Sequence, residues 1–250
     1  MSWLERVTDQ LAEAGLNAWG VADGRAYEHL LPGCRSVVVF GSGGRGLWEA
    51  LVRDLRARPA GLTEEDHPVD QFVARALATA DPDPDPTRRW VRCAGDSDTF
   101  VDFRPLALEA GLGWHSKLGL LMHPRYGPWL GLRAACFTTD AFPVTGALGG
   151  AGPCAECPAP CIPACPGGAM RAEGIDIRRC AASHDETDAC ASTCHSREAC
   201  PEGAEHRYGP EQVRYHYDRA TGRRALADRL RLHDERSGAG PFWDAWSDPG

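Results

Sequence analysis

Apolar residues recur at helical spacing near the start of the chain. They mark one face of a helix predicted over residues 2–15, which Gly15 is placed to end, and they are Trp3, Leu4, Val7, Leu11 and Ala14. A short strand over residues 17–22 is predicted to follow. Residues 36–40 are apolar without interruption and rich in β-branched side chains, which is typical of a strand buried on both faces. The pattern therefore predicts an amphipathic helix followed by a central strand of a sheet.

Later segments alternate between helical and strand patterns. The predicted elements are helices over 47–55, 63–80 and 105–110, and strands over 90–92, 99–102, 119–122 and 130–138. Thr63 is the predicted cap of the helix over 63–80, with Asp66 at its third position. The stiff, acidic stretch Asp81–Pro86 is predicted to be an exposed connection. Helices separate the early strands, and the last two strands can pair as a hairpin, so we expect an α/β (α+β) fold built on a mixed sheet.

A glycine-rich loop follows the predicted central strand. Residues 41–46 formally match G-x-G-x-x-G between a strand and a helix, an arrangement whose backbone amides can hold a phosphate. A dinucleotide fold also needs a second strand ending in an acidic residue about 20 positions on, whereas residues 59–66 here indicate a loop and a helix start. We therefore interpret the glycines as a strand-to-helix turn, which could still face a ligand's phosphate.

Eight of the chain's 11 cysteines lie within 47 residues. They form two runs that each close on Cys-Pro, and they are Cys154, Cys157, Cys161, Cys165, Cys180, Cys190, Cys194 and Cys200. In two-cluster ferredoxins the cysteine before proline ligates the other cluster. This rule assigns one [4Fe–4S] cluster to Cys154, Cys157, Cys161 and Cys200, and a second to Cys165, Cys180, Cys190 and Cys194.

Disulfide bonds and structural zinc are the two alternative uses of these cysteines. A secreted disulfide framework would need an export signal, and the charged, amphipathic N-terminus has no apolar core of that kind. Structural zinc also uses Cys-x2-Cys, with His184, His195 and His206 as nearby candidate ligands, but zinc pairs usually form separated knuckles. Outside the module, Cys34, Cys93 and Cys136 are isolated, which is typical of small buried apolar residues.

Composition and charge narrow the class of protein. With 250 residues and 43% hydrophobic content, the chain can form one large domain or two small ones. We expect an α/β domain over 1–148, a two-cluster ferredoxin-like module over 149–206 and a helical tail over 207–250. No apolar run reaches the length of a membrane span, so a cytoplasmic protein without membrane contact is expected. The formal charge of −8 argues against nucleic acid binding over the whole surface.

The C-terminal region is basic compared with the rest of the chain. Residues 207–236 contain eight arginines and five acids, which we interpret as a solvated helix face. A helix is predicted over 210–232, broken at 221–222, and residues 238–246 are predicted to form a loose tail with aromatic anchors.

A block in the middle of the chain resembles the epoxyqueuosine reductases. It consists of Phe-Val-Asp-Phe-Arg-Pro at 100–105 and Ala-Gly-Leu-Gly-Trp-His-Ser-Lys-Leu-Gly-Leu-Leu-Met-His-Pro-Arg-Tyr-Gly-Pro-Trp at 110–129, followed by the cysteine module. The resemblance covers roughly residues 1–205 and is specific from 99 to 200. Like the related reductive dehalogenases, these enzymes bind cobalamin on a nitroreductase-like α/β domain and supply it with electrons from two [4Fe–4S] clusters.

The resemblance implies roles for particular residues. Asp102 matches the family's catalytic proton donor, although such a carboxylate can also be a helix cap. Candidate cofactor contacts are Trp114, His115, Lys117, His123 and Tyr126, for which packing or loop roles are the alternatives. Ser116 and Leu118 depart from the family's pattern, and the second cysteine run is longer than the family's. The resemblance does not extend to the helical repeats that many tRNA-acting members carry, so we expect a substrate other than tRNA.

These features lead to a functional hypothesis with two alternatives. We expect an iron–sulfur oxidoreductase that takes electrons from an external ferredoxin or flavodoxin and passes them to cobalamin for reduction of a small-molecule substrate, with tRNA a doubtful partner. The first alternative is an electron-transfer or cobalamin-handling protein without an organic substrate. The second is a flavin in place of cobalamin.

Overall fold

The computed structural model describes residues 1–63, 65, 67–83, 85–94 and 99–230. The helices are α1 (Trp3–Glu13), α2 (Gly46–Ala57), α3 (Ala60–Thr63), α4 (Pro68–Ala80), α5 (Phe103–Glu109), α6 (Ile177–Glu186), α7 (His195–Glu198), α8 (Pro210–Tyr217) and α9 (Arg219–Leu230). The strands are β1 (Ala18–Asp23), β2 (Ser36–Gly43), β3 (Arg88–Arg92), β4 (Trp114–His115), β5 (Leu121–Met122), β6 (Leu130–Thr138), β7 (Met170–Arg171) and β8 (Gly174–Ile175).

The main sheet has four strands in the order β1-β2-β6-β3, and all its pairings are antiparallel. Every residue of β2 is buried, which confirms the predicted central strand. The predicted α/β (α+β) class is confirmed as well, with the difference that the described strands pair in the antiparallel sense only. Helix α1 begins where a capping box forms, because the Ser2 hydroxyl accepts from the Glu5 N–H while the Glu5 carboxylate accepts from the Ser2 N–H.

Alternating residues of β2 face two different hydrophobic cores. Val37 and Val39 pack with the core on which α5 lies, whereas Val38 and Phe40 pack with α1 and α4. This alternation follows from the two-residue period of a strand. The sheet therefore separates an α5 face from an α4 face, and residues near the two helices belong to different surfaces.

The structure differs from two predictions about residues 63–86. The helix predicted over 63–80 starts later, at Pro68 of α4, a residue suited to the first position of a helix, and its predicted cap Thr63 is instead the last residue of α3. The predicted role of Asp66 lies outside the described residues. The connection at 81–86 is not fully exposed, because the buried Asp81 carboxylate accepts hydrogen bonds from the indoles of Trp3 and Trp90, each at 3.0 Å.

The predicted hairpin between 119–122 and 130–138 is wrong. Strand β5 pairs with the two-residue β4, while β6 lies between β2 and β3. Four successive residues of β6, from Ala134 to Phe137, are fully buried, so their backbone groups need partners along both edges, and a two-residue strand cannot supply them. Residues 99–102 form no strand and instead lead into α5.

Three further expectations can be compared with the structure. Cys34 and Cys136 are buried as expected, but Cys93 is exposed. The break in the C-terminal helix falls at Asp218, between α8 and α9, and not at 221–222. Gly222 instead allows close packing, since a Cβ there would lie 2.5 Å from the Cα of Tyr215. The predicted tail over 238–246 lies outside the described residues.

Among the helices that the structure describes, none is both long and apolar enough to span a membrane.

Candidate metal and cofactor sites

Four cysteines line one cavity with about 340 Å³ of empty space. We call Cys154, Cys157, Cys161 and Cys200 the first thiol set. Burial raises the pKa of the Cys161 thiol, and the neighbouring thiolates of Cys154 and Cys157 raise it further. Burial likewise raises the pKa of Cys200, with Cys154 and Cys161 adding to the effect. The four residues that sequence spacing assigned to one cluster are thus neighbours in the fold.

The other four cysteines, Cys165, Cys180, Cys190 and Cys194, form the second thiol set. Burial raises the pKa of Cys180, and the thiolates of Cys194, Cys165 and Cys190 raise it further. Burial also raises the pKa of Cys190, followed by the charges of Cys165 and Cys194. Cys165 therefore lies with cysteines that follow it by 15 residues or more, although Cys161 is only four residues before it.

Backbone amides point at sulfurs in both sets. The Ala159 N–H donates to Cys157 Sγ at 3.4 Å, and the Ala169 N–H donates to Cys165 Sγ at 3.3 Å. Burial would raise the pKa of Cys165, but hydrogen bonds from Met170, Ala169, Ser196 and Gly167 outweigh it and lower the pKa. Hydrogen bonds to sulfur stabilise thiolates and tune the reduction potential of iron–sulfur clusters.

Neither thiol set is drawn together around one metal ion in the part of the chain that the structure describes. Among the described residues, no three His, Cys, Asp or Glu side chains converge closely enough to hold one metal ion. The first set lines the cavity described above instead. The histidines considered as zinc ligands have other environments: His184 is exposed, His195 Nε2 lies 2.9 Å from the Ala189 carbonyl oxygen, and His206 packs edge-on against Tyr126.

A wider cleft with about 770 Å³ of empty space opens beside Asp102. Its described lining is Asp102, Arg104, Pro105, Leu108, His115, Ser116, Gly119, Leu120 and Leu121. Asp102 caps α5, because its Oδ1 accepts from the Arg104 N–H at 3.1 Å, and its side chain is 50% exposed. The cleft has the size of a small-molecule or cofactor site and combines apolar walls with a carboxylate and an imidazole.

The segment from β4 to β5 separates this cleft from the first thiol set. His115, Ser116 and Leu121 line the cleft, whereas Lys117, Leu118 and Met122 line the thiol cavity. Leu118 and Met122 pack in one core cluster with Cys161 and Cys200. Lys117 Nζ donates to the Cys154 carbonyl at 3.5 Å. A group bound in the cleft and a cluster on the first thiol set would share this one wall.

Trp114, another candidate contact, ties this wall to the cysteine module. Its indole N–H donates to the Gly149 carbonyl at 3.0 Å, and a Cβ at Gly152 would lie 2.7 Å from its ring. Gly149 and Gly152, which precede the first cysteine of the module, therefore both contact Trp114.

His123 and Tyr126 lie outside both cavities' lining. His123 Nδ1 accepts from the N–H groups of Arg125 and Tyr126 at 3.0 and 3.2 Å. Burial lowers the pKa of His123 to about 4, and the charges of Arg125 and His206 contribute. Tyr126 is buried against Gly43, where a Cβ would come within 2.1 Å of the tyrosine ring. That contact gives a packing reason for one glycine of the 41–46 stretch. Cofactor binding by His123 and Tyr126 stays a prediction.

A contact that sequence reasoning missed joins the cysteine module to the segment just before β6. The Arg197 guanidinium lies between the rings of Trp129 and Tyr208, at 4.4 and 4.7 Å, and donates twice to the Pro128 carbonyl. Burial raises the pKa of Tyr217 to about 12, and its side chain hydrogen-bonds with Arg197 and Cys194. No local pattern could have found this contact, because Trp129, Arg197 and Tyr208 are separated by 68 and 11 positions in the chain.

Comparison with known proteins confirms the resemblance seen in the sequence. The chain is 32% identical over 161 residues to the epoxyqueuosine reductase of Synechococcus sp. strain RCC307, covering 64% of this chain and 49% of the relative. It is 31% identical over 185 residues to that of strain CC9605, covering 72% and 55%. The chain thus spans about half the length of the curated relatives it matches. No family model matches it.

Solved structures share the fold at low sequence identity. An epoxyqueuosine reductase with an epoxyqueuosine-modified tRNA-Tyr stem loop matches with a TM-score of 0.54 and 15% identity, over 83% of this chain and 67% of that one. The C. elegans B12-trafficking protein CblC matches with a TM-score of 0.55 and 11% identity, over 92% and 93%. These matches support the mixed α/β architecture.

Proposed function

We propose, from its relationship to the epoxyqueuosine reductases, that this chain is an iron–sulfur reductase that uses cobalamin. The two thiol sets would each hold a [4Fe–4S] cluster, and the cleft beside Asp102 would hold the cobalamin face on which substrate is reduced. When bound, cobalamin supplies a redox-active cobalt centre for the reaction. An external ferredoxin or flavodoxin would supply the electrons.

The shared wall between cleft and thiol cavity is the observation that carries this proposal. Lys117, Leu118 and Met122 contact the cavity of the first thiol set, and their neighbours His115, Ser116 and Leu121 line the cleft. The first thiol set would thus hold the cluster nearer to the cleft, and the clusters, when bound, would supply single electrons for the reduction. The apolar side chains of Leu118 and Met122 keep water from the thiol cavity, and the exposure of a cluster is one determinant of its potential.

Asp102 is the proposed proton donor in this cleft. Its Oδ1 is held by the first turn of α5, which fixes the carboxyl group at the edge of the cleft. Conversion of an epoxide to an alkene and water takes two electrons and two protons. Asp102 would donate one proton to the leaving oxygen, and solvent would supply the other.

The substrate proposed for the first test is an epoxyqueuosine-modified tRNA. The names of the curated relatives and the tRNA stem loop in a solved neighbour support this choice over our expectation of a small molecule. The acidic balance of the chain supports a small epoxide as the second substrate to test.

A cobalamin-handling protein is the second candidate function. It is favoured by the match to CblC, which extends over nearly the whole of both chains. In that case the chain would reduce bound cobalamin without acting on an organic substrate.

The test begins with protein purified and reconstituted without oxygen. We expect about eight irons and eight sulfides per chain, a cluster absorption spectrum, and a further spectral change and higher Tm on adding cobalamin. The protein is then given a reduced flavodoxin and modified tRNA, and the product nucleoside is measured by mass spectrometry. Cobalt reduction without product from either substrate would support the cobalamin-handling function. Zinc in place of iron, or no response to cobalamin, would refute the proposal.

A further inference from the structure

Two charged residues lie beside the cysteines of the first thiol set. They are Lys117, in the turn between β4 and β5, and Glu202, two residues after Cys200, and both line the thiol cavity. Four cysteines line the same cavity, and four thiolates are the ligand set of a [4Fe–4S] cluster. We propose that Lys117 raises and Glu202 lowers the reduction potential of the cluster on the first thiol set, an inference that rests on the cluster binding proposed above.

A tight turn fixes the position of Lys117. The Gly119 N–H donates to the Ser116 carbonyl at 3.0 Å, so Lys117 and Leu118 are the two central residues of the turn. Leu118 is only 6% exposed and packs in one core cluster with Cys161. The lysine is therefore anchored on the cysteine module through its buried neighbour.

The ammonium group of Lys117 belongs to the thiol cavity and not to the cleft. Its Nζ donates to the Cys154 carbonyl at 3.5 Å. Burial raises the pKa of the Cys161 thiol, and the positive charge of Lys117 opposes that rise. Lys117 is absent from the described lining of the Asp102 cleft. Its charge therefore acts on the first thiol set, where sequence reasoning had placed it among the cofactor contacts.

Glu202 brings the opposite charge to the same cysteines. Burial raises the pKa of Cys200, a hydrogen bond from the Glu202 N–H opposes this rise, and the Glu202 carboxylate adds to it. The backbone and the side chain of this residue thus act in opposite directions. Glutamine at position 202 would keep the backbone hydrogen bond and remove only the negative charge.

Neither charge is neutralised by a neighbour. Among the described residues, Lys117 and Glu202 have no ion-pair partner, and each side chain is partly buried. A charge in such a position is screened less than one in free solvent. Each residue can therefore influence the cavity separately.

Reduction of an iron–sulfur cluster adds one negative charge, and net charge is one determinant of its potential. A nearby ammonium group stabilises the reduced state, whereas a nearby carboxylate destabilises it. The two residues should therefore shift the potential in opposite directions, and removal of either charge should reveal the effect of the other.

Potentiometric titration of the full-length, reconstituted protein, followed by electron paramagnetic resonance, measures these shifts. The variants are Lys117→Gln, Lys117→Arg, Glu202→Gln and, as a control with the same loss of charge, Arg53→Gln at an exposed position of α2. At the midpoint potential of the parent, Lys117→Gln should lower the ratio of reduced to oxidised cluster about 3- to 10-fold, and Glu202→Gln should raise it by about the same factor. A tenfold change corresponds to about 59 mV for one electron.

Two variants should leave the potential close to that of the parent. Lys117→Arg keeps the positive charge, and Arg53→Gln changes a charge away from the cavity, so both should stay within about twofold of the parent ratio. Iron content should be the same in all variants, since the cysteines are unchanged. If one variant loads iron poorly, the other still tests the inference, because loss of a cluster removes signal and does not shift a potential in a chosen direction.

The outcomes separate this inference from the proposed function. Unchanged potentials in both Lys117→Gln and Glu202→Gln, with an iron-loaded parent, would overturn the inference alone. Equal shifts of both clusters in one variant would also overturn it, since the effect of a local charge decreases with distance. A reconstituted parent without [4Fe–4S] clusters would overturn the proposed function and this inference together.

Discussion

Substitution of Asp102 separates its structural role from its proposed chemical role. The carboxylate caps α5 through the Arg104 N–H and lines the cleft at the same time. Asparagine caps helices about as well as aspartate but has no transferable proton, whereas alanine provides neither function. Asp102→Asn should therefore leave the free energy of unfolding nearly unchanged, while Asp102→Ala should lower it by about 1 kcal/mol.

The two variants should differ in stability and agree in activity. For a chain of this size, about 1 kcal/mol corresponds to a Tm decrease of about 2–4 °C, which is expected for Asp102→Ala alone. Product formation should fall about 10²- to 10⁴-fold in both, the usual contribution of a positioned general acid. Cobalt reduction by an external donor should remain near the parent rate, because electron transfer does not need this proton.

The assay combines melting curves, iron content, cobalt reduction and product formation on the same preparations. Ser2→Ala is the matched control, since it removes the cap of α1 far from the cleft and should lower the Tm without changing turnover per folded molecule. Undiminished product formation by Asp102→Asn would remove Asp102 from the chemistry and leave it as a helix cap. Loss of iron from Asp102→Asn would show that the substitution acts through the clusters instead.

Three further predictions concern the clusters, the module interface and pH. Cys200→Ser should remove the cluster of the first thiol set and Cys165→Ser that of the second, which iron analysis and electron paramagnetic resonance would distinguish; loss of the opposite cluster would contradict the assignment. Arg197→Ala should lower the free energy of unfolding by about 2–4 kcal/mol, because it removes two cation–π contacts and two hydrogen bonds, and an unchanged urea midpoint would refute that role. His123 has a folded-state pKa of about 4, below its ordinary value of 6.5, so the unfolded chain takes up the proton first and the stabilisation present above pH 6.5 is lost as the pH falls toward 4. The Tm of His123→Asn should fall less than that of the parent over this range, and parallel curves would exclude the effect.

Local patterns were enough to predict several parts of the molecule. Helix α1 follows from apolar spacing and a capping residue, and β2 follows from an uninterrupted β-branched run, since each depends on neighbours within a few positions. The grouping of cysteines into two sets followed from spacing and the rule for Cys-Pro ends, and the structure brings the same residues together. The capping role of Asp102, one of the two roles that its motif left open, is seen at the start of α5, whereas its role as a proton donor stays a prediction.

Only the tertiary structure decided which distant segments become neighbours. Strand β6 lies between β2 and β3, not beside β5, because its buried backbone needs partners on both edges. That choice places a β-bulge at Arg133 of β6, which periodicity cannot predict. The wall between the Asp102 cleft and the first thiol set likewise depends on packing of residues 115–122 against cysteines more than 30 positions away. A sequence pattern reports the preferred conformation and burial of each segment, whereas the pairing of segments is set by satisfying hydrogen bonds and burying apolar surface over the whole chain at once.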